Sequence, residues 1–381
     1  MNLDGGPRHS GPRATSDVIV IGAGLHGCSA ALQLARRGLS VRVLDKDHVA
    51  RHASGVNAGG VRRLGRHLAE VPLSVASMEM WHHIQELVGD PCGFEQHGQI
   101  KVAESEADWA KLTLRAQQVR DIGFDHEELI DRHELRRLLP AVADHCVGGL
   151  ISRADGAALP YRTTLAFKHA GERAGVQFHE GTAAQGMDRV GQTWRVATSQ
   201  GLFEAPVVVN AAGAWGGQVA RWVGDEAPVV PVALMLMITA PVAPFVQPVV
   251  GATSRTLSFK QFANGTVMIG GGHMGRAWPE SNRTDLDFTK LSLNARIAAE
   301  IFPIMQDVTI VRAWAGIEGR MPDDIPVLCQ SPRAPGVVHS FGYSAHGFQM
   351  GPICGVIVAD LVIEGRSTFD LGAFHIARFR S

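Results

Sequence analysis

The sequence predicts an α/β protein of two interleaved domains, one built on a parallel sheet and the other, of α+β type, on a mainly antiparallel sheet. Residues 17–47 follow a strand, glycine turn, helix, strand order. The apolar run at residues 207–210 is typical of a parallel strand that is buried on both faces. Residues 228–302 instead form proline-broken strands and one helix. A chain of 381 residues also exceeds one ordinary hydrophobic core.

The first element is a glycine turn between an apolar strand and a helix. Gly22, Gly24 and Gly27 have the G-x-G-x-x-G spacing, and Asp45 closes the second strand about twenty residues later. In a Rossmann-like unit the first glycine permits the tight turn, the second admits a pyrophosphate, and the third allows helix and strand to pack closely. The acid accepts hydrogen bonds from a ribose diol. The pattern predicts a dinucleotide site and, by itself, leaves NAD and FAD open.

Composition excludes several classes of partner. The chain has 36 Lys and Arg against 37 Asp and Glu, so it lacks the positive excess that attracts nucleic acid or an anionic membrane. Its five cysteines are odd in number and form no C-x-x-C pair, which predicts reduced thiols and a cytoplasmic location rather than a disulfide framework or a zinc ribbon. The histidines show no metal-ligand spacing, so we expect no metal.

Two segments bear on targeting and membranes. Residues 1–16 lack an apolar core and are predicted to be a flexible tail, not a signal peptide. Residues 227–252 are the most apolar segment, but five prolines leave no run near the ~20 residues of a spanning helix. We expect buried strands and turns there and no transmembrane segment. A surface for a partner protein is the alternative.

The order of these patterns divides the chain. Helix starts at Ser105 and Asp131 do not repeat the strand–helix–strand order, and the nucleotide pattern resumes near Val147. The predicted nucleotide-binding domain therefore comprises residues 17–80, 147–226 and 306–381, and the predicted substrate domain comprises residues 81–146 and 227–305.

Five motifs carry a resemblance to a known superfamily: residues 18–45, SGVNAGGVR at 54–62, VVNAAGAW at 208–215, AGIEGRMPDDIPVL at 315–328 and FGYSAHGFQMGP at 341–352. In content and order they resemble the FAD-dependent D-amino-acid oxidase, glycine oxidase and sarcosine oxidase superfamily. The nearest resemblance is to the branch of opine oxidase, hydrogen cyanide synthase and D-hydroxyproline dehydrogenase catalytic subunits. The resemblance implies FAD and a Rossmann-like FAD-binding domain of the glutathione-reductase type, interleaved with the substrate domain.

The same resemblance assigns residues to the cofactor. They come from the glycine turn and its acid, the turn after the second strand, two later strand ends and the C-terminal loop. The residues expected to bind FAD are Gly22, Ala23, Gly24, Leu25, His26, Gly27, Asp45, Lys46, His52, Ala53, Ser54, Asn57, Ala58, Gly59, Gly60, Ala184, Ala211, Ala212, Gly213, Trp215, Gly316, Gly342, Tyr343, Ala345, His346, Gly347, Phe348 and Gln349.

Four positions depart from the superfamily pattern. Gly316 stands where sarcosine oxidase carries the cysteine that binds its flavin, so non-covalent FAD is expected. Met268 stands in place of a lysine that promotes reaction with oxygen, which favours a dehydrogenase because no positive charge is left there to stabilise a developing superoxide. Glu318 replaces a carboxylate-binding arginine of glycine oxidase, and Gln349 replaces a lysine of sarcosine oxidase. These two changes argue against plain glycine or sarcosine as substrate, and Glu318 is a candidate to hold a cationic amine or a hydroxyl.

Further candidate catalytic residues lie beside the motifs. Arg62 matches the superfamily's arginine after the NAGG turn, and its planar fork suits a carboxylate, with Arg63 and Arg66 as alternatives. His346 lies in the loop whose N–H groups are expected to face the N1/O2 edge of the flavin. His273 follows a strand of the substrate domain and is a candidate to line the pocket.

The expected function follows from these residues and the resemblance. We expect an FAD-dependent oxidoreductase that oxidises the CH–NH bond of a secondary, cyclic or D-amino acid, of the D-hydroxyproline, D-proline or opine type, to an imine by hydride transfer to flavin N5. A dehydrogenase is favoured, and a peroxide-producing oxidase is the alternative. The resemblance also implies a catalytic subunit that works with a second flavin subunit, an iron–sulfur subunit or a quinone-type acceptor.

Overall fold

The computed structural model describes residues 13–379. The strands are β1 (Arg13–Thr15), β2 (Val18–Ile21), β3 (Val41–Leu44), β4 (Gly60–Val61), β5 (Gln99–Ala103), β6 (Glu128–Asp131), β7 (Gly148–Ser152), β8 (Gly156–Ala157), β9 (Gln177–His179), β10 (Ala184–Val190), β11 (Thr193–Thr198), β12 (Gly201–Ala205), β13 (Val207–Asn210), β14 (Val230–Thr239), β15 (Val249–Ala252), β16 (Ser258–Gln261), β17 (Val267–Gly270), β18 (Met274–Trp278), β19 (Arg283–Asp285), β20 (Ile310–Arg320), β21 (Val327–Gln330) and β22 (Val337–Phe341). The helices are α1 (Leu25–Arg36), α2 (Ala53–Val56), α3 (Val71–His82), α4 (Ile84–Val88), α5 (Glu106–Asp121), α6 (Arg132–Leu138), α7 (Pro160–Arg173), α8 (Gly216–Trp222), α9 (Phe288–Ile301) and α10 (Gly347–Ile363). Short 3-10 turns lie at Leu68–Glu70, Gly213–Trp215, Pro303–Met305, Gly372–Phe374 and Ile376–Phe379.

The first main sheet has the strand order β21-β22-β13-β2-β3-β9 and is parallel except where β21 runs antiparallel to β22. Val18 and Val20 of β2 pack on the side covered by α1, α7 and α10. On the other side Ile19 packs with Trp194 and Phe203, which belong to a four-stranded sheet of order β1-β12-β11-β10. Because both faces of β2 are covered, its residues are all apolar.

The second main sheet has the strand order β19-β18-β14-β17-β16-β15-β5-β7-β6, with β20 paired to β14. Its neighbours are antiparallel except for β15 and β5, which are parallel. One face is covered by α9, and there Phe259 and Phe302 stack with ring centroids 4.7 Å apart. The predicted fold class, a parallel sheet interleaved with a mainly antiparallel one, is confirmed.

Two strands depart from the predicted domain boundaries. β7 and β20 lie in stretches predicted for the nucleotide-binding domain, yet β7 pairs with β5 and β20 pairs with β14 in the second sheet. An apolar run indicates that a strand is buried, but it does not indicate which sheet the strand joins, because the partner lies far away in the chain. Their pairing therefore assigns both strands to the second sheet and not to the predicted nucleotide-binding domain.

The predicted tail and the apolar segment have different outcomes. Residues 1–12 lie outside the described residues, but Arg13–Thr15 pair in parallel with Leu202–Glu204, so the prediction of a flexible tail is wrong for these three positions. The open edge of β12 provides the backbone partners. Residues 227–252 contain β14 and β15, which agrees with the expected buried strands. In the part of the chain that the structure describes, no helix combines the length and the apolarity needed to cross a bilayer.

Candidate active site

A cavity of about 740 Å³ has walls contributed by both main sheets. The first sheet contributes the glycine turn, the end of β3 and the loop before α10. The second contributes residues of β5, β14, β16 and β20. Most residues of the turn at residues 52–62 also line the cavity. Nearly all the residues predicted to bind FAD are therefore brought together around one space.

The glycine turn has no room for side chains. Gly22 has a φ of +107°, and a Cβ placed on it would lie 2.4 Å from the carbonyl oxygen of Ala211. A Cβ on Gly27 would lie 1.9 Å from the carbonyl oxygen of Gly22. Gly24 precedes α1 and lines the cavity together with Leu25, whose N–H donates to Ser54 Oγ at 2.9 Å. The positive end of the α1 dipole therefore faces the cavity, as a diphosphate requires.

Asp45 lies at the end of β3 and lines the same cavity. Its carboxylate accepts hydrogen bonds from the N–H of Ala23 at 2.6 Å and from the N–H of Asp47 at 2.8 Å. Burial raises the pKa of Asp45, and the two N–H donors oppose this shift. A carboxylate has about four acceptor sites, so about two remain for the hydroxyls of a ribose.

Beside Asp45, a lysine is fixed by contacts from both domains. Lys46 Nζ donates to Asp47 Oδ2 at 2.6 Å and to Asn282 Oδ1, and it lies 4.0 Å from the centroid of the Trp215 ring. The His52 imidazole lies 3.2 Å from the same amine, and burial is the main cause that lowers the His52 pKa to about 4. Lys46, His52 and Trp215 all line the cavity. No pattern along the chain pointed to Asn282, because it approaches from the second domain.

The three arginines after the NAGG turn have different surroundings. Arg62 lines the cavity and uses Nη1 to donate to the carbonyl of Leu64 at 2.7 Å. Arg63 is bound to Asp155, with Nε to Oδ1 at 3.1 Å, and is not among the lining residues. Arg66 is buried; its Nη1 donates to the carbonyl of His346 at 2.6 Å, and burial lowers its pKa to about 10. Arg66 also lines the cavity, but each of its three guanidinium nitrogens donates to another residue of the chain. Arg62 lines the cavity with two guanidinium nitrogens that, among residues 13–379, make no hydrogen bond.

The loop before α10 is held in an unusual backbone conformation. Ser344 and Ala345 have positive φ angles of 50° and 67°, a region that side chains other than glycine disfavour. Ser344 Oγ accepts a hydrogen bond from the N–H of Met321 at 2.9 Å, and the N–H of Ala345 donates to Glu318 Oε1. Both contacts come from the segment around β20, so this segment fixes the loop.

Two rings support the start of α10. His26 stacks on Tyr343 with ring centroids 3.6 Å apart, and His26 Nε2 lies 3.0 Å from the carbonyl oxygen of Gly347. Burial lowers the His26 pKa to about 3, so this ring is neutral. His26, Tyr343 and Gly347 line the cavity with Phe348. The helix N-terminus is therefore held against the same space as the glycine turn.

Titratable groups on the cavity wall have displaced pKa values. Glu318 of β20 is half-buried, and burial raises its pKa to about 7. The pKa of His346 lies well below its ordinary value, first because of burial and then because of the nearby positive charges of Arg62 and Arg66. Glu70 is fully buried in the 3-10 turn Leu68–Glu70, with its Oε2 3.9 Å from His346 Nδ1. Glu70 belongs to none of the sequence motifs and was not predicted.

Four predicted residues are not among those that line the cavity: Ala23, Gly27, His273 and Gln349. Ala23 and Gly27 belong to the glycine turn and the start of α1 but lie on the side away from the cavity. Gln349 is buried, accepts from Arg66 at 3.2 Å and donates to the carbonyl of Ser74 at 2.8 Å, so it serves the packing of α10 rather than the cavity. His273 contributes its carbonyl oxygen to Met235 N–H, whereas its neighbour Gly272 lines the cavity.

Met268 is also outside the cavity wall, and the structure places a lysine opposite it. Met268 of β17 is buried and pairs directly with Lys260 of β16. Burial lowers the pKa of Lys260 to about 8, and its Nζ lies 3.1 Å from the position of a Cβ on Gly59, which lines the cavity. A positive group is therefore present on the neighbouring strand, where the sequence motifs did not predict one.

Further lining residues that the sequence did not predict lie on the second sheet. Gln99 and Lys101 of β5 alternate with Ile100 and Val102, which are buried in the apolar core of that sheet. This alternation was visible in the sequence as a signal for a two-faced strand, but not for a site. Among residues 13–379, no group of three or more His, Cys, Asp or Glu side chains is arranged to hold a metal ion.

Known proteins resemble this chain over almost its whole length. Hydrogen cyanide synthase subunit HcnC of Pseudomonas aeruginosa is 26% identical over 420 residues, which cover 96% of this chain and 97% of that protein. A subunit of opine oxidase from Rhizobium meliloti is 26% identical over 384 residues, which cover 95% of this chain and 97% of that protein. The solved structure of glycine oxidase from Geobacillus kaustophilus matches with a TM-score of 0.89 at 24% identity and covers 97% of this chain and 100% of that chain.

The family profile described as "FAD dependent oxidoreductase" (DAO) matches residues 17–361. This span contains the glycine turn, the turn that carries Arg62 and the loop before α10, which line one cavity. The predicted superfamily and the predicted cofactor, FAD, are confirmed. The chain belongs to the DAO family of FAD-dependent oxidoreductases.

Proposed function

We propose that this protein is an FAD-dependent dehydrogenase that acts on amino-acid-like substrates. It oxidises the CH–NH bond of a secondary, cyclic or D-amino acid to an imine. The observation that carries the proposal is the position of Arg62, which lines the cavity that the glycine turn and the α10 loop also line, and whose guanidinium has only Nη1 engaged within residues 13–379. Among the relatives, the opine oxidase subunit and glycine oxidase are named for amino-acid-type substrates. This agrees with a carboxylate partner for Arg62.

The residues of the wall suit FAD. The glycines leave a cradle that a Cβ at Gly22 would fill, the α1 N-terminus faces it, and Asp45 keeps acceptor sites free. None of the five cysteines lines the cavity, which supports non-covalent binding. The bound flavin supplies a hydride acceptor for the substrate carbon. The residues of the chain must bind the substrate, orient it and hold the proton of its amine.

Arg62 is arranged to orient the substrate. One of its nitrogens is tied to the carbonyl of Leu64, which holds the planar fork in place. Within residues 13–379, no hydrogen bond or ion pair takes up its Nε or Nη2. A fork of this kind binds a carboxylate through two parallel hydrogen bonds, which fixes both the position and the direction of the bound amino acid.

Glu318 is placed to handle the proton of the substrate amine. An amine must be neutral to be oxidised, and a carboxylate that titrates near pH 7 can take a proton from an ammonium group. Burial gives Glu318 a pKa of about 7, and the N–H of Ala345 holds the carboxylate in position. His346 remains neutral, because its pKa is lowered, and offers a hydrogen-bonding ring instead of a charge.

The proposal is tested by anaerobic titration of the purified yellow protein with D-, L-, N-methyl and cyclic amino acids. We expect bleaching of the oxidised flavin absorbance by at least one secondary or D-amino acid and none by simple amines that lack the carboxylate. If amines without a carboxylate reduce the flavin equally well, the assigned role of Arg62 and the substrate class are both wrong.

A peroxide-forming oxidase is the second candidate, and Lys260 favours it. Its buried amine lies beside Gly59 in the turn that lines the cavity, so a positive charge is available to stabilise reduced oxygen species. The peroxide formed per substrate consumed in air separates the two candidates. A ratio near one supports the oxidase, and little peroxide with rapid reduction of an artificial dye supports the dehydrogenase.

We also propose that the chain works as the catalytic subunit of a hetero-oligomer. Two of the relatives are named as subunits, of hydrogen cyanide synthase and of opine oxidase. A partner with a second flavin, an iron–sulfur cluster or a quinone-type acceptor would take the electrons. Purification from the native source at physiological salt tests this: a lone chain with full turnover in air contradicts it.

A further inference from the structure

Lys101 is a cation in the cavity without a counter-ion. It lines the cavity and is half-buried, and burial lowers its pKa. Between residues 13 and 379, its amine makes no hydrogen bond or ion pair with another residue. A partly desolvated charge without a partner is costly to the fold, so such a charge is expected to have a ligand.

Gln99 lies two residues earlier on β5, so its side chain points to the same face of the strand. It lines the cavity too, and its side-chain oxygen is buried with no hydrogen-bond partner in the described part of the chain. Buried polar atoms in native proteins are nearly always paired. Two neighbouring polar side chains of one strand are therefore left unsatisfied by the protein and face the same space.

The acid close to Lys101 is already engaged. Glu127 receives two hydrogen bonds from Arg115, both at 2.9 Å, and a third from the N–H of Gly65 at 2.7 Å. Gly65 has a φ of +70°, and a Cβ on it would come within 3.4 Å of Lys101 Nζ. The absence of a side chain at Gly65 thus lets the amine approach the turn that carries Arg62.

Lys101 and Arg62 face one cavity and repel each other. Arg62 contributes to the lowered pKa of Lys101, with Arg115 acting in the same direction and Glu127 against it. Two cations in one partly desolvated space are stabilised when two anionic groups bind between them. Arg62 accounts for one carboxylate of the substrate in the proposed function, which leaves Lys101 for another.

We infer that Lys101 forms a second carboxylate subsite, with Gln99 beside it to accept a hydrogen bond from the substrate nitrogen, so that the preferred substrate is a secondary amine that bears two carboxylates. The inference rests on the proposed function, in which Arg62 binds the first carboxylate. Lys101 supplies the charge for the carboxylate, and Gln99 Oε1, the buried atom without a partner in the described residues, accepts the N–H of the substrate amine beside it. A substrate of this class spans from the Arg62 turn to β5, with its nitrogen between the two carboxylates.

The test compares iminodiacetate with sarcosine, two secondary amines that differ in the second carboxylate. Dissociation constants are taken from the change in flavin absorbance on binding, and reduction rates from anaerobic mixing. In the holoenzyme, iminodiacetate should bind more tightly. Lys101→Met should raise the dissociation constant of iminodiacetate by a factor that is roughly 10 to 100 times its effect on the dissociation constant of sarcosine. Lys101→Arg should restore much of the preference, whereas Gln99→Leu should weaken the binding of both substrates to a similar extent, because both carry the amine N–H.

Lys111→Met is the matched control, since Lys111 is an exposed lysine on α5. It should change neither substrate's binding. Equal effects of Lys101→Met on the two substrates, or wild-type protein that prefers sarcosine, would overturn the subsite. Because binding is measured without turnover, a protein that binds iminodiacetate through Lys101 but is reduced by no amino acid would contradict the proposed function and leave the subsite standing.

Discussion

His346 Nδ1 lies 3.9 Å from Glu70 Oε2, and within residues 13–379 neither atom has a hydrogen-bond partner. Glu70 is fully buried, and its charge acts on both Arg62 and Arg66. Glu70 is thus the main carboxylate that acts on the buried Arg66 and on the half-buried Arg62, with Asp155 acting in the same direction. The same carboxylate faces one ring nitrogen of His346, so it favours the tautomer that carries a proton on Nδ1.

Removal of the Glu70 charge should destabilise the fold. Glu70→Gln should lower the free energy of unfolding by roughly 3 kcal/mol, because it removes the main negative charge that acts on the buried Arg66. Denaturant unfolding of the holoprotein measures this. Glu79→Gln, at an exposed position of α3, is the control and should have little effect. Equal stability of the Glu70 and Glu79 variants would mean that the arginines are neutralised by other groups.

The glycine turn gives a prediction about the cofactor. Gly27→Ala should greatly reduce the FAD bound per chain, since its Cβ would meet the carbonyl oxygen of Gly22 and push α1 away from β2. Gly186→Ala is the control, because no atom lies within 4 Å of a Cβ at that position. The ratio of flavin to protein absorbance measures the outcome. Full FAD content in the Gly27 variant would contradict the assignment of this turn.

Substrate binding should depend on Arg62. Arg62→Met should raise the dissociation constant of an amino-acid substrate by a factor of roughly 10 to 100 without expelling FAD. Anaerobic titration of the flavin gives both quantities. Arg195→Met, on the outer sheet and paired with Asp188, is the matched control. Unchanged affinity in the Arg62 variant would remove Arg62 from the carboxylate site.

The raised pKa of Glu318 implies that the rate of flavin reduction depends on pH near neutrality. The rate of flavin reduction at low substrate should rise as pH increases through about 7, where the carboxylate becomes ionised, and Glu318→Gln should lose this rise. The raised pKa means that the folded chain holds this proton more tightly than the unfolded chain does. Stability contributed by Glu318 should therefore fall as pH rises from the ordinary value of 4.5 to about 7. A wild-type profile that is flat across this range would exclude Glu318 as the titrating group.

The position of Lys260 leads to a prediction about the rate at which oxygen reoxidises the reduced enzyme. If its amine acts on reduced oxygen, Lys260→Met should slow reoxidation in air by a factor of roughly 10 to 100, because a preorganised positive group is removed. Stopped-flow mixing of reduced enzyme with oxygenated buffer measures the rate. Met268→Leu, at the directly paired position, is the control. Equal rates in the Lys260 variant and the wild type would favour the dehydrogenase.

Local backbone geometry could be predicted from the sequence, because the spacing of residues encodes it. Gly22, Gly24 and Asp45 were identified from a turn, a helix start and a strand end that lie within one strand–helix–strand unit, and the motif resemblance added the family and its cofactor. Gln349 and His273 lie in the predicted segments but do not line the cavity. The direction in which such a side chain points is not specified by its spacing along a loop or a helix start.

Motifs and periodicity along the chain were enough to predict the fold class, the family and the FAD cradle, whereas the meeting of charged groups depends on the three-dimensional arrangement. The fold engages Arg63 and Arg66 in contacts with other residues of the chain and leaves Arg62 with unpaired nitrogens in the described residues. It also places Glu70 against His346 and sets Lys260 opposite Met268. Glu70 and His346 lie 276 positions apart in the chain, and Lys260 and Met268 lie on two neighbouring strands. Such contacts depend on the pairing of sheets and on the burial of charge, which no periodicity within a single segment records.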